Sequence, residues 1–89
     1  MEIQGMIIDV FETVSGVSKN GKEWSIQKFI LNTDETHPKK ILMQRINKEH
    51  IQKYPITKNE HVKAYFDIEA KEFNGKWFNN IVAWRVERI

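Results

Sequence analysis

The sequence predicts an all-β fold, five strands rolled into a Greek-key barrel with one short helix between the third and fourth. Three observations carry that prediction. Runs rich in β-branched and aromatic residues recur along the chain, each bounded by glycine, asparagine or proline. A short helix signal follows the third run. An Asn74-Gly75 pair then divides the last and longest β-forming stretch into two halves.

The first strand is Ile3 to Phe11, β-forming throughout, with Gly5 marking a bend or a bulge. Ser15 to Lys22 packs two glycines and an Asn20-Gly21 pair into one segment, the mark of a turn with positive φ angles. Glu23 to about Thr33 is the second strand. If the turn pairs Val17 with Trp24, then Ser25, Gln27, Phe29 and Leu31 take the core side while Trp24, Ile26 and Lys28 point outward. Asp34 to Pro38 is a polar connection, and Lys39 to Ile46 resumes as the third strand. Asn47 is an N-cap, Ile46 and Ile51 occupy the staple positions around it, and Pro55 stops the helix after Tyr54.

Val62 to Phe73 and Lys76 to Val86 flank Asn74-Gly75 as the last hairpin. A two-residue loop there pairs Lys71 with Phe78, Ile68 with Ile81, Phe66 with Ala83 and Tyr65 with Trp84. Phe66, Ile68, Ala70, Trp77, Ile81 and Ala83 then share one face, read as core. The other face carries Tyr65, Asp67, Glu69, Lys71, Phe73, Phe78, Asn80, Val82 and Trp84. Five strands in this order, with the helix after the third, is the plan of an OB-fold.

Size and composition bound what such a barrel does. The chain has 89 residues, 40% hydrophobic, 11% aromatic and 29% charged, enough for one core and too few for a second. Residues 1–89 therefore read as one domain, which excludes two-domain enzymes and repeat arrays. Without cysteine there is neither a disulfide framework nor a thiolate zinc site, and the chain fits a reducing, cytoplasmic compartment. No apolar run approaches the length that spans a bilayer or forms a signal-peptide core, so no membrane partner is expected. The net charge is only +2, but residues 1–38 carry three lysines against six acids while residues 39–89 carry eleven basic residues against six acids. An anionic partner would touch the second half.

At Glu23-Trp24 through Thr33, Pro38-Lys39-Lys40, Phe66-Asp67-Ile68-Glu69, Phe73 through Phe78 and Ala83 through Glu87, the chain resembles a family of small bacterial OB-fold domains of unassigned function. More distantly it is similar to bacterial single-stranded DNA-binding proteins. That resemblance implies that Trp24 and Phe73 stand where single-strand binders stack bases. It departs from the pattern at the turn into the fourth strand, where Asn59-Glu60 replaces the usual Gly-Asp; asparagine tolerates positive φ. Such proteins often recruit partners through an acidic, glycine-rich C-terminal tail that these residues do not include, so the resemblance implies a bare binding domain.

No catalytic pattern emerges from the residues themselves. His37, His50 and His61 fall in a loop, a helix and a strand start without metal-ligand spacing, and Ser15, Ser18 and Ser25 sit in no nucleophile-elbow context. Asp67 and Glu69 alternate on one strand face and read as solvated or paired with Lys71 and Lys63. Neither a cofactor nor a metal is expected, and the protein is read as a binder rather than an enzyme.

Single-stranded DNA or RNA is held by aromatic faces that stack on bases and by cations that follow phosphates. Trp24, Phe73 and Phe78 are the candidate stackers, and Trp24 alternatively caps the barrel end. Trp77 is read as structural. Lys19, Lys22, Lys28, Lys39, Lys40, Lys71 and Lys76 are the candidate phosphate contacts, because one fold gathers three distant regions in which lysine sits beside an aromatic ring. Tyr65 and Trp84 pair away from the hairpin tip and are read as an interface of a homo-oligomer, a dimer or tetramer. The rival reading is a protein-interaction or assembly module using the same aromatic surface, with an oligosaccharide binder third and a metal-dependent nuclease fourth.

Overall fold

The β-forming runs become six strands and one helix: β1 (Glu2–Val10), β2 (Val14–Val17), β3 (Glu23–Thr33), β4 (Lys40–Arg45), α1 (Lys48–Lys53), β5 (His61–Phe73) and β6 (Lys76–Arg88). The structure is a computed structural model and describes residues 1–89. The strands form one sheet in the order β1-β5-β6-β4-β3-β2, and β1 also pairs with β3, which closes a ring of five. This is the expected OB barrel with the helix after its third barrel strand. The difference is β2, which starts at Val14 and takes in the first residues, Ser15 to Val17, of the segment that reads as a turn. β1 pairs with Phe29–Thr33, Phe11 donates to the Lys28 carbonyl at 2.9 Å, and β2 pairs with Glu23–Ile26. Together β1 and β2 behave as one long strand, broken at Phe11–Thr13, that follows β3 along its length.

Barrel closure also accounts for Gly5. Its backbone is paired on both sides, opposite Thr33 of β3 and Val62 of β5, and an added Cβ would stand 2.3 Å from the Asn32 carbonyl oxygen. The bulge in β1 falls instead between Ile7 and Asp9. The turn into β3 pairs Gly16 with Trp24 and Val17 with Glu23, one residue from the expected register. Strand alternation is unaffected by that slip, and Ser25, Phe29 and Leu31 are buried while Trp24 and Lys28 are exposed.

The core gathers Ile7, Phe29, Leu31, Met43, Ile56, Val62, Ala64, Phe66 and Ala83. Five of these, Ile7, Phe29, Leu31, Met43 and Val62, are fully buried, each contributing about 1.5–3 kcal/mol. Asn47 caps α1 as expected, its Oδ1 accepting from the backbone N–H groups of Glu49 at 3.0 Å and His50 at 3.2 Å. The staple does not form as a buried pair, because Ile51 is buried while Ile46 stays 53% exposed. Arg45 holds the helix instead, donating from Nη2 to the His50 carbonyl at 2.5 Å.

Asn74 and Gly75 both adopt positive φ, 51° and 77°, the geometry of a two-residue hairpin loop matched to strand twist. The register holds as expected from Phe73↔Lys76 to Phe66↔Ala83. It then shifts: Tyr65 lies opposite Arg85 rather than Trp84. The shift keeps Ala83 and Val86 inward and turns Trp84 and Arg85 both outward. The outer half of the hairpin also differs from expectation. Ile68 and Trp77 do share the face of Phe66 and Ala83, but they are 51% and 67% exposed. β5 and β6 run past the barrel wall as an arm of about 20 Å, and there the core face has no core to meet.

Candidate functional site

The outward residues of the ring form one continuous surface. Lys28 of β3 lies opposite Gln44 of β4, Gln44 opposite Val82 of β6, and Val82 opposite Asp67 of β5. Paired residues share a face, so this row ties together the outer sides of four strands. On β3 and β4 the surface carries Trp24, Ile26, Lys28, Ile30, Lys40, Leu42 and Gln44, and β2 extends it with Val14 and Gly16.

Trp24 is fixed on this surface by its neighbour. A Cβ on Gly16 would stand 2.5 Å from Trp24 Cζ2 and 2.7 Å from Cε2, so the indole lies against bare backbone. It remains 42% exposed. One side of the ring covers the β2–β3 hairpin, and the rest faces solvent. Beneath it, the Ser15 and Ser25 hydroxyls hydrogen-bond at 2.9 Å across the same two strands.

Along the arm, Lys71 pairs with Phe78 and Phe73 with Lys76. These four expected residues therefore share one face, continuous through Asn80 and Val82 with the surface of β3 and β4. Phe73 and Phe78 are 69% and 52% exposed. Trp77 lies on the opposite face of the arm, with Ile68. Lys19 and Lys22 sit in the β2–β3 turn, where Ser18 accepts from Gly21 and Lys22.

Charge pairing separates the lysines. Lys48 pairs with Glu23 at 3.1 Å, Lys63 with Glu2 at 3.4 Å, Arg85 with Glu87 and Arg88 with Glu60. Of the expected phosphate contacts only Lys39 is paired, to Glu35 at 3.9 Å. Lys19, Lys22, Lys28, Lys40, Lys71 and Lys76 make no ion pair. Asp67 and Glu69 lie on the same face and are solvated rather than paired with Lys71 or Lys63.

Tyr65 and Trp84 stay in contact despite the register shift, with ring centroids 5.4 Å apart. Lys63 and Arg85 stand over the Tyr65 ring at 5.4 and 5.7 Å, and the Tyr65 hydroxyl donates to Glu87 at 3.4 Å. Trp84 is 48% exposed. Sequence reasoning missed Gly16, Val14 and Leu42. Ile41-Leu42-Met43 is an unbroken apolar run, which does not reveal the outward member, and Gly16 reads as a turn residue until the strand beside it is seen.

Residues 2–87 match a family described as a domain of unknown function, DUF3127. The chain belongs to that family. No curated protein is significantly similar to this DUF3127 chain in sequence. Among solved structures it is similar to the mitochondrial single-stranded DNA-binding protein Rim1 of S. cerevisiae, with a TM-score of 0.69 and 16% identity over 100% of this chain and 92% of that one. It is also similar to the second OB-fold domain of replication protein A from Methanococcus maripaludis, with a TM-score of 0.72 and 12% identity over 99% of this chain and 81% of that one. At such identities the likeness establishes the fold of this DUF3127 domain. No helix in it is long and apolar enough to cross a membrane.

Proposed function

We propose that this DUF3127 domain binds single-stranded nucleic acid, DNA or RNA, with little sequence preference and without catalysis, as a cytoplasmic protein. The strand lies across the outer face of β3 and β4, with bases stacked on Trp24, Phe73 and Phe78. Its phosphates run past Lys19, Lys22, Lys28, Lys39, Lys40, Lys71 and Lys76. The observation that carries this reading is the unbroken outer face on which an exposed Trp24, an apolar strip of Ile26, Ile30 and Leu42, and lysines without acidic partners lie together. The likeness of its fold to Rim1, a single-stranded DNA-binding protein, supports the same reading by analogy. Quenching of tryptophan fluorescence by oligothymidine tests it, and Trp24→Ala should remove most of the quenching and weaken binding. Binding that is as tight in Trp24→Ala as in the unaltered protein would refute the role given to Trp24.

A second reading is favoured by the arm. Ile68 and Trp77 lie on one side of it and Phe73 and Phe78 on the other, so one strand on the barrel face cannot cover all four. Assembly into a homo-oligomer, a dimer or tetramer built on the arm or on Tyr65 and Trp84, would cover the remainder. Light scattering on the unaltered protein and on Trp77→Ser decides it: an oligomer that dissociates in the variant supports assembly, and a monomer in both excludes it.

A further inference from the structure

The barrel wall is weakest between β4 and β6. The two strands run parallel and meet at a single bridge, Gln44 opposite Val82; β4 ends at Arg45 while β6 continues to Arg88. α1 covers part of the opening. What remains is a cavity of about 440 Å3, with Arg45 at the end of β4, His50 and Tyr54 from the helix side, and Trp84, Arg85 and Glu87 from β6. That volume lies within the range of small-molecule sites, about 300–1,000 Å3.

Arg45 is the unusual member. It is 4% exposed, yet it takes part in none of the ion pairs of the molecule. Its Nη1 donates to Gln27 Oε1 at 3.2 Å and its Nη2 to the His50 carbonyl at 2.5 Å, both neutral acceptors. A buried guanidinium without an anion is costly, and burial holds its pKa below the ordinary arginine value. The other charges at the cavity cancel, because Arg85 and Glu87 pair with each other. The net charge facing the space is therefore that of Arg45. At the rim, Tyr54 and Trp84 are 53% and 48% exposed and offer aromatic surface.

We propose that this cavity binds a nucleoside monophosphate unit, its phosphate on Arg45 and its base against Tyr54 and Trp84. A guanidinium suits phosphate and an aromatic ring suits a base, and the cavity supplies each where the other is needed. The unit is either a free mononucleotide or the 5′-phosphorylated end of a single strand. The proposal does not depend on the role of Trp24, which lies on another face.

Two-dimensional 15N–1H NMR of the full chain tests it, read at the Trp84 indole N–H and the His50–Tyr54 amides. Thymidine 5′-monophosphate should shift these signals saturably with a Kd near or below about 1 mM, and thymidine or inorganic phosphate should bind at least about tenfold more weakly. Tyr54→Ala, at an exposed position that leaves the core intact, should weaken binding several-fold, and Arg45→Met should abolish it. Should Arg45→Met fail to fold, Trp84→Leu replaces it with the same expectation as Tyr54→Ala. Oligothymidine with and without a 5′-phosphate separates the two sources. Cavity shifts that need the 5′-phosphate assign the strand end, and shifts with the mononucleotide alone assign a free nucleotide. No saturable shift, equal shifts from inorganic phosphate alone, equal shifts from the unphosphorylated strand, or a dimer that buries Trp84 would each overturn the proposal. Because the signals are read residue by residue, failure here leaves the Trp24 face separately testable.

Discussion

Gly16→Ala separates the two roles open to Trp24, stacking on a base or covering the barrel edge. The new methyl would stand 2.5 Å from Cζ2, so the indole must lift by about 1 Å to reach an ordinary carbon contact of about 3.5–4.0 Å. With the ring 42% exposed, its covered part contributes about 2–3 kcal/mol. A gap of that size forfeits about a quarter to a half of the contact, roughly 1 kcal/mol. The melting temperature should therefore fall by about 4–8 °C. A tilted indole no longer offers its face to a base, and losing one stacked base costs about 1–3 kcal/mol, or roughly 5- to 150-fold in affinity. Tryptophan emission with oligothymidine titration measures affinity, and a circular dichroism melt measures stability. An emission shift that proves the ring has moved, with affinity unchanged, would refute stacking and leave Trp24 as a cover for the hairpin.

Other predictions follow from the same geometry. Lys40→Ala should lower the salt dependence of single-strand binding by about one phosphate contact, while Lys39→Ala, already paired to Glu35, should change it less; the slope of log affinity against log salt reads both. Asn47→Ala removes the acceptor for two helix N–H groups and should cost about 1 kcal/mol in urea denaturation with strand affinity intact. Glu60 has its pKa lowered first by the hydrogen bond from Arg88, then by that from Thr57. The unfolded chain therefore binds more protons than the folded one in that window. The contribution is present above the ordinary glutamate value, about 4.3, and is lost as pH falls through the folded-state value. Glu60→Gln should flatten the acid limb of the stability profile. Trp77→Ala should change stability by no more than about 0.5 kcal/mol, as for an exposed arm residue rather than a core one, in a denaturant titration.

Local turn chemistry made much of this fold legible. Asn74-Gly75 alone sets the pairing of β5 with β6 out to Phe66 and Ala83, because both loop residues take positive φ, which asparagine tolerates and glycine, lacking a Cβ, adopts freely. Asn59, in the turn into β5, likewise takes φ 73° as its residue type suggests. Features that depend on barrel curvature were not legible. The shift at Tyr65 and Phe66 lets β6 follow the wall, and no residue there announces it. β2 hid in a serine- and glycine-rich segment because the ladder that joins it to β3 is made by backbone groups, which every residue type carries. Alternation assigned Ile68 and Trp77 to the inner face, but it carries no information on where the barrel ends. In the candidate site, the exposure of Trp24, Phe73 and Phe78 and their setting among lysines could be read in advance. The bed that Gly16 makes for Trp24, and the isolation of Arg45 behind α1, exist only once strands distant in sequence are paired.

Affinity of the unaltered protein for oligothymidine of about 35 nucleotides, long enough for several sites of about 4–16 nucleotides, measured across a range of salt, decides whether the outer face of β3 and β4 holds a single strand. Binding should be saturable, and its log affinity should fall linearly with log salt, by about 0.7 for each phosphate neutralised, with several of the unpaired lysines contributing. No binding at low salt, or binding indifferent to salt, would contradict it.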